Sequence, residues 1–190
     1  MATITQIAAN QENAKLSTGP KTEQGKAVAA QNARTHGLSA ITLRPFMVYD
    51  ENEEFGAHRS AMIRFAHGLA QGEPIEVHRG SARGWLHISD ALTAIMAASA
   101  LRDYTVINIG HSDVVATEGL ALRLADELGA DQSLIKVIEQ PPRMTLIKNP
   151  SLQRMERVLG VRPAVDLAEG LQRVAAATHA RLLAASSHDA

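Results

Sequence analysis

Two arginines, Arg79 and Arg83, and two glycines, Gly80 and Gly84, fall within the stretch HRGSARGWLHISD, His78 to Asp90. A guanidinium is planar, stays charged at physiological pH and presents a fork of N–H donors that matches two oxygens of a phosphate or carboxylate. Glycines beside it let the backbone approach a partner closely. Arg143 follows Pro141-Pro142, a stiff pair that forbids regular structure. The chemistry these residues offer is anion binding. Arg83 has a competing role, as a surface arginine paired with a carboxylate such as Glu76. His87 and Asp90 have the residue types of an acid–base pair, but a helix start accounts for them better, with Asp90 as its cap and His87 as a hydrogen-bonded packing residue.

Composition excludes other chemistries. There is no cysteine, which removes a disulfide framework, a thiolate nucleophile and a Cys-based zinc site together. The eight histidines form no HExxH-type pair, and no metal site is expected. The net charge of −1 gives no general field for nucleic acid or an anionic membrane, so any anion site must be local. The chain has neither an apolar run of spanning length nor a signal-peptide core in its polar first residues, and reads as soluble and cytoplasmic.

The elements that must position the arginines can be read from periodicity. Residues 1–40 are polar and carry the turn signal Gly19-Pro20; within them Glu23 to His36 is a plausible helix stopped by Gly37. From Ala40 the texture changes to the β-type run AITLRPFMVY, followed by the acidic DENEEFG. A helix is expected over His58 to Gln71, with strands at PIEVH and GWLHI. Ser89 or Asp90 should cap a helix whose Leu92, Ile95, Met96 and Ala100 form an apolar stripe. YTVINI is a strand closed by Gly110, and Thr117 should cap a helix with Leu120, Leu124 and Leu128 on one face, ended by Gly129. LIKVIE is another strand, and helices follow at Ser151 to Leu159 and from Leu167 to about Leu183, the last opened by Asp166 and Glu169. Aromatics are only 3% of the chain, so the core must be aliphatic. Strands alternating with helices give an α/β class, and about four short strands would leave open sheet edges.

The order of these pieces is informative. RPFMVY, the acidic loop, a helix ending in GEP, Arg83 before an aromatic and LHISD, a strand ending in NIG, a helix ending in LG, PPR, and LGVRP before DLAEG follow one another from about Ile41 to Ala175. This series resembles the carboxy-terminal half of the NAD-dependent epimerase/dehydratase family, the extended short-chain dehydrogenases that include UDP-glucose 4-epimerase. The resemblance implies an incomplete Rossmann-type fold: a substrate-side subdomain, residues 41–185, with helices packed on a small sheet and residues 1–40 as an appendage. It implies that Arg83 contacts the diphosphate of a nucleotide sugar with help from Arg143, and that Met47 and Tyr49 line the wall facing sugar and nicotinamide. Asn108, shortly before Gly110, either fixes the turn at its strand end or contacts the ligand.

In the family NAD sits on a glycine-rich turn, and a Tyr-x-x-x-Lys helix supplies the base for hydride transfer. No two glycines here are three apart, and neither Tyr49 nor Tyr104 has a lysine four residues on. RPFMVY also continues with Asp50-Glu51 where the family usually has Gly-Pro. No catalytic residue is therefore expected and no cofactor bound by this chain alone, with NAD implied only through the family. The expected function is nucleotide-sugar binding without catalysis. Two alternatives are a subunit of a split epimerase or dehydratase, completed by a Rossmann-half partner, and a nucleic-acid module built on Lys15, Lys21, Lys26 and Arg34. The last is disfavoured because Glu12 and Glu23 dilute the charge and no aromatic stands there to stack on bases.

Overall fold

A computed structural model describes residues 22–35, 41–56, 59–142 and 144–187. The chain divides into two compact units, residues 1–42 with 101–105 and residues 43–100 with 106–190. In the first, helix α1 (Glu23–Thr35) begins where Thr22 Oγ1 accepts the Gly25 N–H at 3.0 Å. Lys26 is paired with Glu23 at 2.7 Å along the helix.

The second unit is organised by three helices. The chain first passes through β1 (Ile41–Pro45), whose residues from 43 on lie in this unit, and β2 (Val48–Tyr49). The single β-type run expected here is broken in two: Phe46 and Met47 intervene, and Met47 has a left-handed φ of 47°. Helix α2 (Ala61–Ala70) follows, capped by Ser60, whose side chain accepts the Ile63 N–H. The strands β3 (Ile75–His78), β4 (Ala82–Gly84) and β5 (Leu86–His87) lead into helix α3 (Ile88–Ser99). Then come β6 (Thr105–Ile109), β7 (Val114–Ala116), helix α4 (Thr117–Leu128), a 3₁₀ turn (Gln132–Leu134), β8 (Ile135–Ile138) and β9 (Ile147–Lys148). Helices α5 (Gln153–Leu159) and α6 (Leu167–Ser186) complete the order.

Helices α2, α4 and α6 pack on one another, and α4 also covers β3 and β8. Their buried faces carry Met62, Ile63, Phe65 and Leu69 from α2, Leu120, Leu124 and Leu128 from α4, and Leu171 and Val174 from α6. The core is mainly aliphatic, as the shortage of aromatics requires, but it also holds the rings of Tyr49, Phe65 and Trp85. Leu86, Ala91, Ala94, Ala98, Ile107, Ile109, Met155, Val161 and Val165 are buried outside that cluster.

The strands do not form one sheet. Among the described residues they make four small ones: β1 with β6, β2 with β5, β3 with β8, and the three-stranded β7-β4-β9. β2–β5 and β3–β8 are parallel, whereas β4 runs antiparallel to β7 and parallel to β9. β7 and β9 escape periodicity because runs of two or three residues are too short to show alternation.

Two expected caps differ. Helix α3 is capped by His87, whose ring accepts the Ser89 N–H, rather than by Ser89 or Asp90. Thr117 is the first residue of α4, and Ala116 precedes it without a side-chain cap. The left-handed stop at Gly129 and the Asp166 cap on the Glu169 N–H occur as the residues imply.

Candidate functional site

Arg83 lies at the centre of the three-stranded sheet, opposite Val115 of β7 on one side and Lys148 of β9 on the other. The turn before it uses Gly80 at a φ of 70°, and the Ser81 carbonyl accepts the Thr117 N–H at 2.8 Å. Gly84 is needed for a different reason: a Cβ there would stand 2.1 Å from the His111 carbonyl oxygen. Only 8% of Arg83 is exposed. Its Nη1 donates to the carbonyls of Ala82, at 2.8 Å, and of Leu146, while Nη2 donates to that of Thr145 at 3.0 Å. Burial pushes the guanidinium below its ordinary pKa, but arginine remains charged throughout the physiological range. The competing role, pairing with Glu76, gives way to these three carbonyls.

Beside Arg83 is an open cleft of about 230 Å³, lined by Met47, Arg64, Glu76, His78, Trp85 and Lys148 among others. Arg64 and Lys148 are both exposed and make no ion pair among the described residues. With Arg83 they set three cations against the carboxylate of Glu76. Trp85 is 2% exposed, and its buried Nε1–H has no hydrogen-bond partner among the described residues. The left-handed Met47, whose conformation costs on the order of 1 kcal/mol in a non-glycine residue, forms part of the wall.

The structure therefore brings Met47 and Arg83 together. Tyr49 is elsewhere: it is 1% exposed in the helical core, edge-on to His87, with its hydroxyl unpartnered among the described residues and so close to Gly170 that a Cβ there would lie 1.7 Å from it. Burial is the main cause that pushes its phenol up to about pKa 12. Asn108 lines a second groove with Arg44 and Arg154, and its side chain donates to the Ser151 carbonyl at 3.1 Å. Arg143, Lys15 and Lys21 lie outside the described residues.

His87 and Asp90 serve packing. The Nδ1 of His87 accepts from Ser89, so its Nε2–H points to Glu51 Oε2 at 2.7 Å. That hydrogen bond holds the Glu51 carboxyl below its ordinary pKa. Glu51 in turn stands 3.9 Å from Arg173, and its carbonyl accepts from Arg181, which ties the acidic loop to α6. Asp90 accepts the N–H groups of Ala164 and Val165, each at 3.1 Å. Neither residue lines the Arg83 cleft. Arg64, Trp85 and Lys148 were not singled out from the sequence. Arg64 reads there as the wet face of an amphipathic helix, and Lys148 sits on a strand that no pattern announces.

Residues 21–110 match the sequence model of the NAD dependent epimerase/dehydratase family. Over those residues the chain is similar to that family. It is 29% identical over 141 residues to a Methanocaldococcus jannaschii protein described as uncharacterized, covering 73% of this chain and 42% of that one. It is 27% identical over 158 residues to a dTDP-glucose 4,6-dehydratase of Streptomyces griseus, covering 82% and 47%. The chain thus spans about half the length of these relatives.

Solved structures agree on the fold. A UDP-glucose 4-epimerase of Thermotoga maritima, determined with UDP-glucose, superposes with a TM-score of 0.72 at 21% identity over 84% of this chain and 52% of its own. The dTDP-glucose 4,6-dehydratase DesIV of Streptomyces venezuelae, with NAD and TYD bound, gives 0.67 at 24% identity over 82% and 48%. The expected fold class is therefore present: a partial Rossmann-type, extended short-chain dehydrogenase fold.

Proposed function

We propose that residues 41–185 form a nucleotide-sugar-binding region that performs no hydride transfer by itself, with residues 1–40 as an appendage. The observation that carries this reading is the cleft that joins Met47 and Arg83, whose charged lining sets three cations against Glu76. A diphosphate carries the complementary charge, and the apolar wall of Met47 suits the ring of a sugar or base. Arg143 remains a further candidate phosphate contact by its place after the Pro-Pro pair.

NAD does not fit the strand-to-helix junctions β5–α3 and β7–α4 among the described residues. A dinucleotide pyrophosphate needs a glycine turn between a strand and a helix N-terminus. The strand-to-helix junctions at β5–α3 and β7–α4 instead run through His87 and Ala116, and the His87 ring occupies the cap of its helix. Tyr49, with its phenol pushed up to about 12, is the opposite of the acidified tyrosine that hydride transfer uses as a base. No catalytic step is assigned to this chain.

The test is a thermal-shift series with UDP-, dTDP- and GDP-sugars. A ligand that binds only the folded state raises stability by RT ln(1 + [L]/Kd), about 2.7 kcal/mol at a hundredfold excess over Kd. At least one of the three should raise Tm, and added NAD should give no turnover. No shift at millimolar concentrations with any of them, or turnover by the chain alone, ends the reading.

A second reading is favoured by one observation, the outward-facing Leu92, Ile95 and Met96 of α3. There the chain is one part of an epimerase or dehydratase whose Rossmann half is carried by another polypeptide, which covers that face. Co-expression with such a half should give a complex in sedimentation, and a monomer at tens of micromolar would count against it.

A further inference from the structure

We propose that the groups in the Arg83 cleft that touch phosphate are Arg64, Lys148 and the indole N–H of Trp85, and that Arg83 is a positioning residue. The proposal rests on the reading of this cleft as the diphosphate end of a nucleotide-sugar site. It changes which side chains do the binding.

Arg83 has five N–H donors, and three are engaged by the carbonyls of Ala82, Thr145 and Leu146. Two of these acceptors belong to the segment leading into β9, which pairs with β4 through Ala82 opposite Ile147 and Arg83 opposite Lys148. The Leu146 carbonyl also accepts the Ala82 N–H at 3.0 Å. The guanidinium therefore fastens the strand that carries Lys148 to the strand that carries Arg83. Turning its fork towards a ligand would leave three carbonyls without that donor.

Arg64 and Lys148 stand in the opposite condition. They lie on different elements, α2 and β9, line the same cleft, are exposed, and make no ion pair among the described residues. One offers a planar fork and the other a compact ammonium, a combination suited to the several oxygens of a diphosphate. Glu76 and His78, on alternate positions of β3, are the other titratable groups in the lining.

Trp85 supplies the independent observation. An indole nitrogen is a donor only, and when buried it ordinarily finds an acceptor. Here Nε1–H has none among the described residues, although the side chain is 98% buried and lines the cleft. A phosphate oxygen is an acceptor only and would complete it.

Trp85 is the only tryptophan in the chain, so the full-length protein shows a single indole N–H resonance and carries one emission reporter. UDP-glucose should move that resonance, while uridine at the same concentration leaves it in place. In calorimetry Arg64→Ala and Lys148→Met should each weaken UDP-glucose by roughly tenfold, the loss expected for one charge-assisted contact. Both variants should keep the wild-type Tm, since neither side chain makes an ion pair among the described residues. Trp85→Phe should weaken binding severalfold at unchanged or higher Tm, while Arg83→Ala should lower Tm as well as affinity. If the wild type binds UDP-glucose but the Arg64→Ala/Lys148→Met double variant binds equally well, the proposal is overturned and the nucleotide-sugar reading survives. An indole resonance indifferent to bound UDP-glucose removes Trp85 from the site. If no nucleotide sugar binds the wild type, both readings fall.

Discussion

Helices α2 and α3 are similar in length and both apolar, yet they treat their large side chains in opposite ways. α2 buries Met62, Ile63, Phe65 and Leu69 between α4 and α6. α3 buries only alanines and Asp90, packing Ala91, Ala94 and Ala98 towards its neighbours, while Leu92, Ile95 and Met96 are 52%, 44% and 69% exposed. Full burial of a large apolar side chain contributes about 1.5–3 kcal/mol, so α2 is held by its core and α3 by small contacts supplemented with hydrogen bonds. The difference teaches that an apolar stripe marks a helix without saying which side of it meets the rest of the chain.

The largest break in that comparison should come from Leu69→Ala, which empties a side chain only 2% exposed. A cost of about 2–5 kcal/mol in urea unfolding is expected, against less than about 0.5 for Leu92→Ala on α3. Next is Asp90→Ala, which strands the N–H groups of Ala164 and Val165 and should cost about 3 kcal/mol, showing that α3 depends on a polar anchor. If Asp90→Ala is as mild as Leu92→Ala, that account of α3 is wrong.

A smaller effect should follow pH. The carboxyl of Glu51 is held low by the His87 hydrogen bond in the folded state, so its contribution is complete above the ordinary glutamate range and is lost as pH falls through the lowered value. Up to about 1 kcal/mol should disappear on acidification, and Glu51→Gln should flatten that limb of the stability–pH curve. Tyr49→Phe tests the well-packed side for a flaw of its own. The phenol hydroxyl has no partner among the described residues, so its removal should be neutral or stabilising by up to about 1 kcal/mol, and nucleotide-sugar affinity should not change. Last, Met96→Lys should alter stability by less than about 0.5 kcal/mol and, on the second reading, weaken the complex with a Rossmann-half polypeptide in sedimentation, because it interrupts an exposed apolar face.

Much of the fold could be read from residue order, for reasons these helices illustrate. The left-handed stop at Gly129 and the Asp166 cap are local events, decided within one turn of chain. Arg83 was conspicuous for its neighbours Gly80 and Gly84, and it does stand at a cleft. What it does there was hidden, because two of its three carbonyl partners are more than sixty residues away, and backbone acceptors leave no mark in a side-chain pattern. Tyr49 reads like Met47 in RPFMVY, but Tyr49 is buried in the core and Met47 lines the cleft, and the left-handed turn at Met47 between them is invisible to alternation. Similarly, α3 is amphipathic by count, and only the tertiary structure reveals that alanine lies on its inner face.

The Asp90 anchor also bears on the order in which the molecule assembles. It joins positions 74 and 75 residues apart, and contacts of such separation must await closure of the intervening chain, whereas the turns of α2 and α4 close locally. The clasp should therefore be absent from the folding transition state. Its loss should leave the refolding limb of a chevron nearly unmoved and raise the unfolding limb, making Asp90 chiefly a brake on opening.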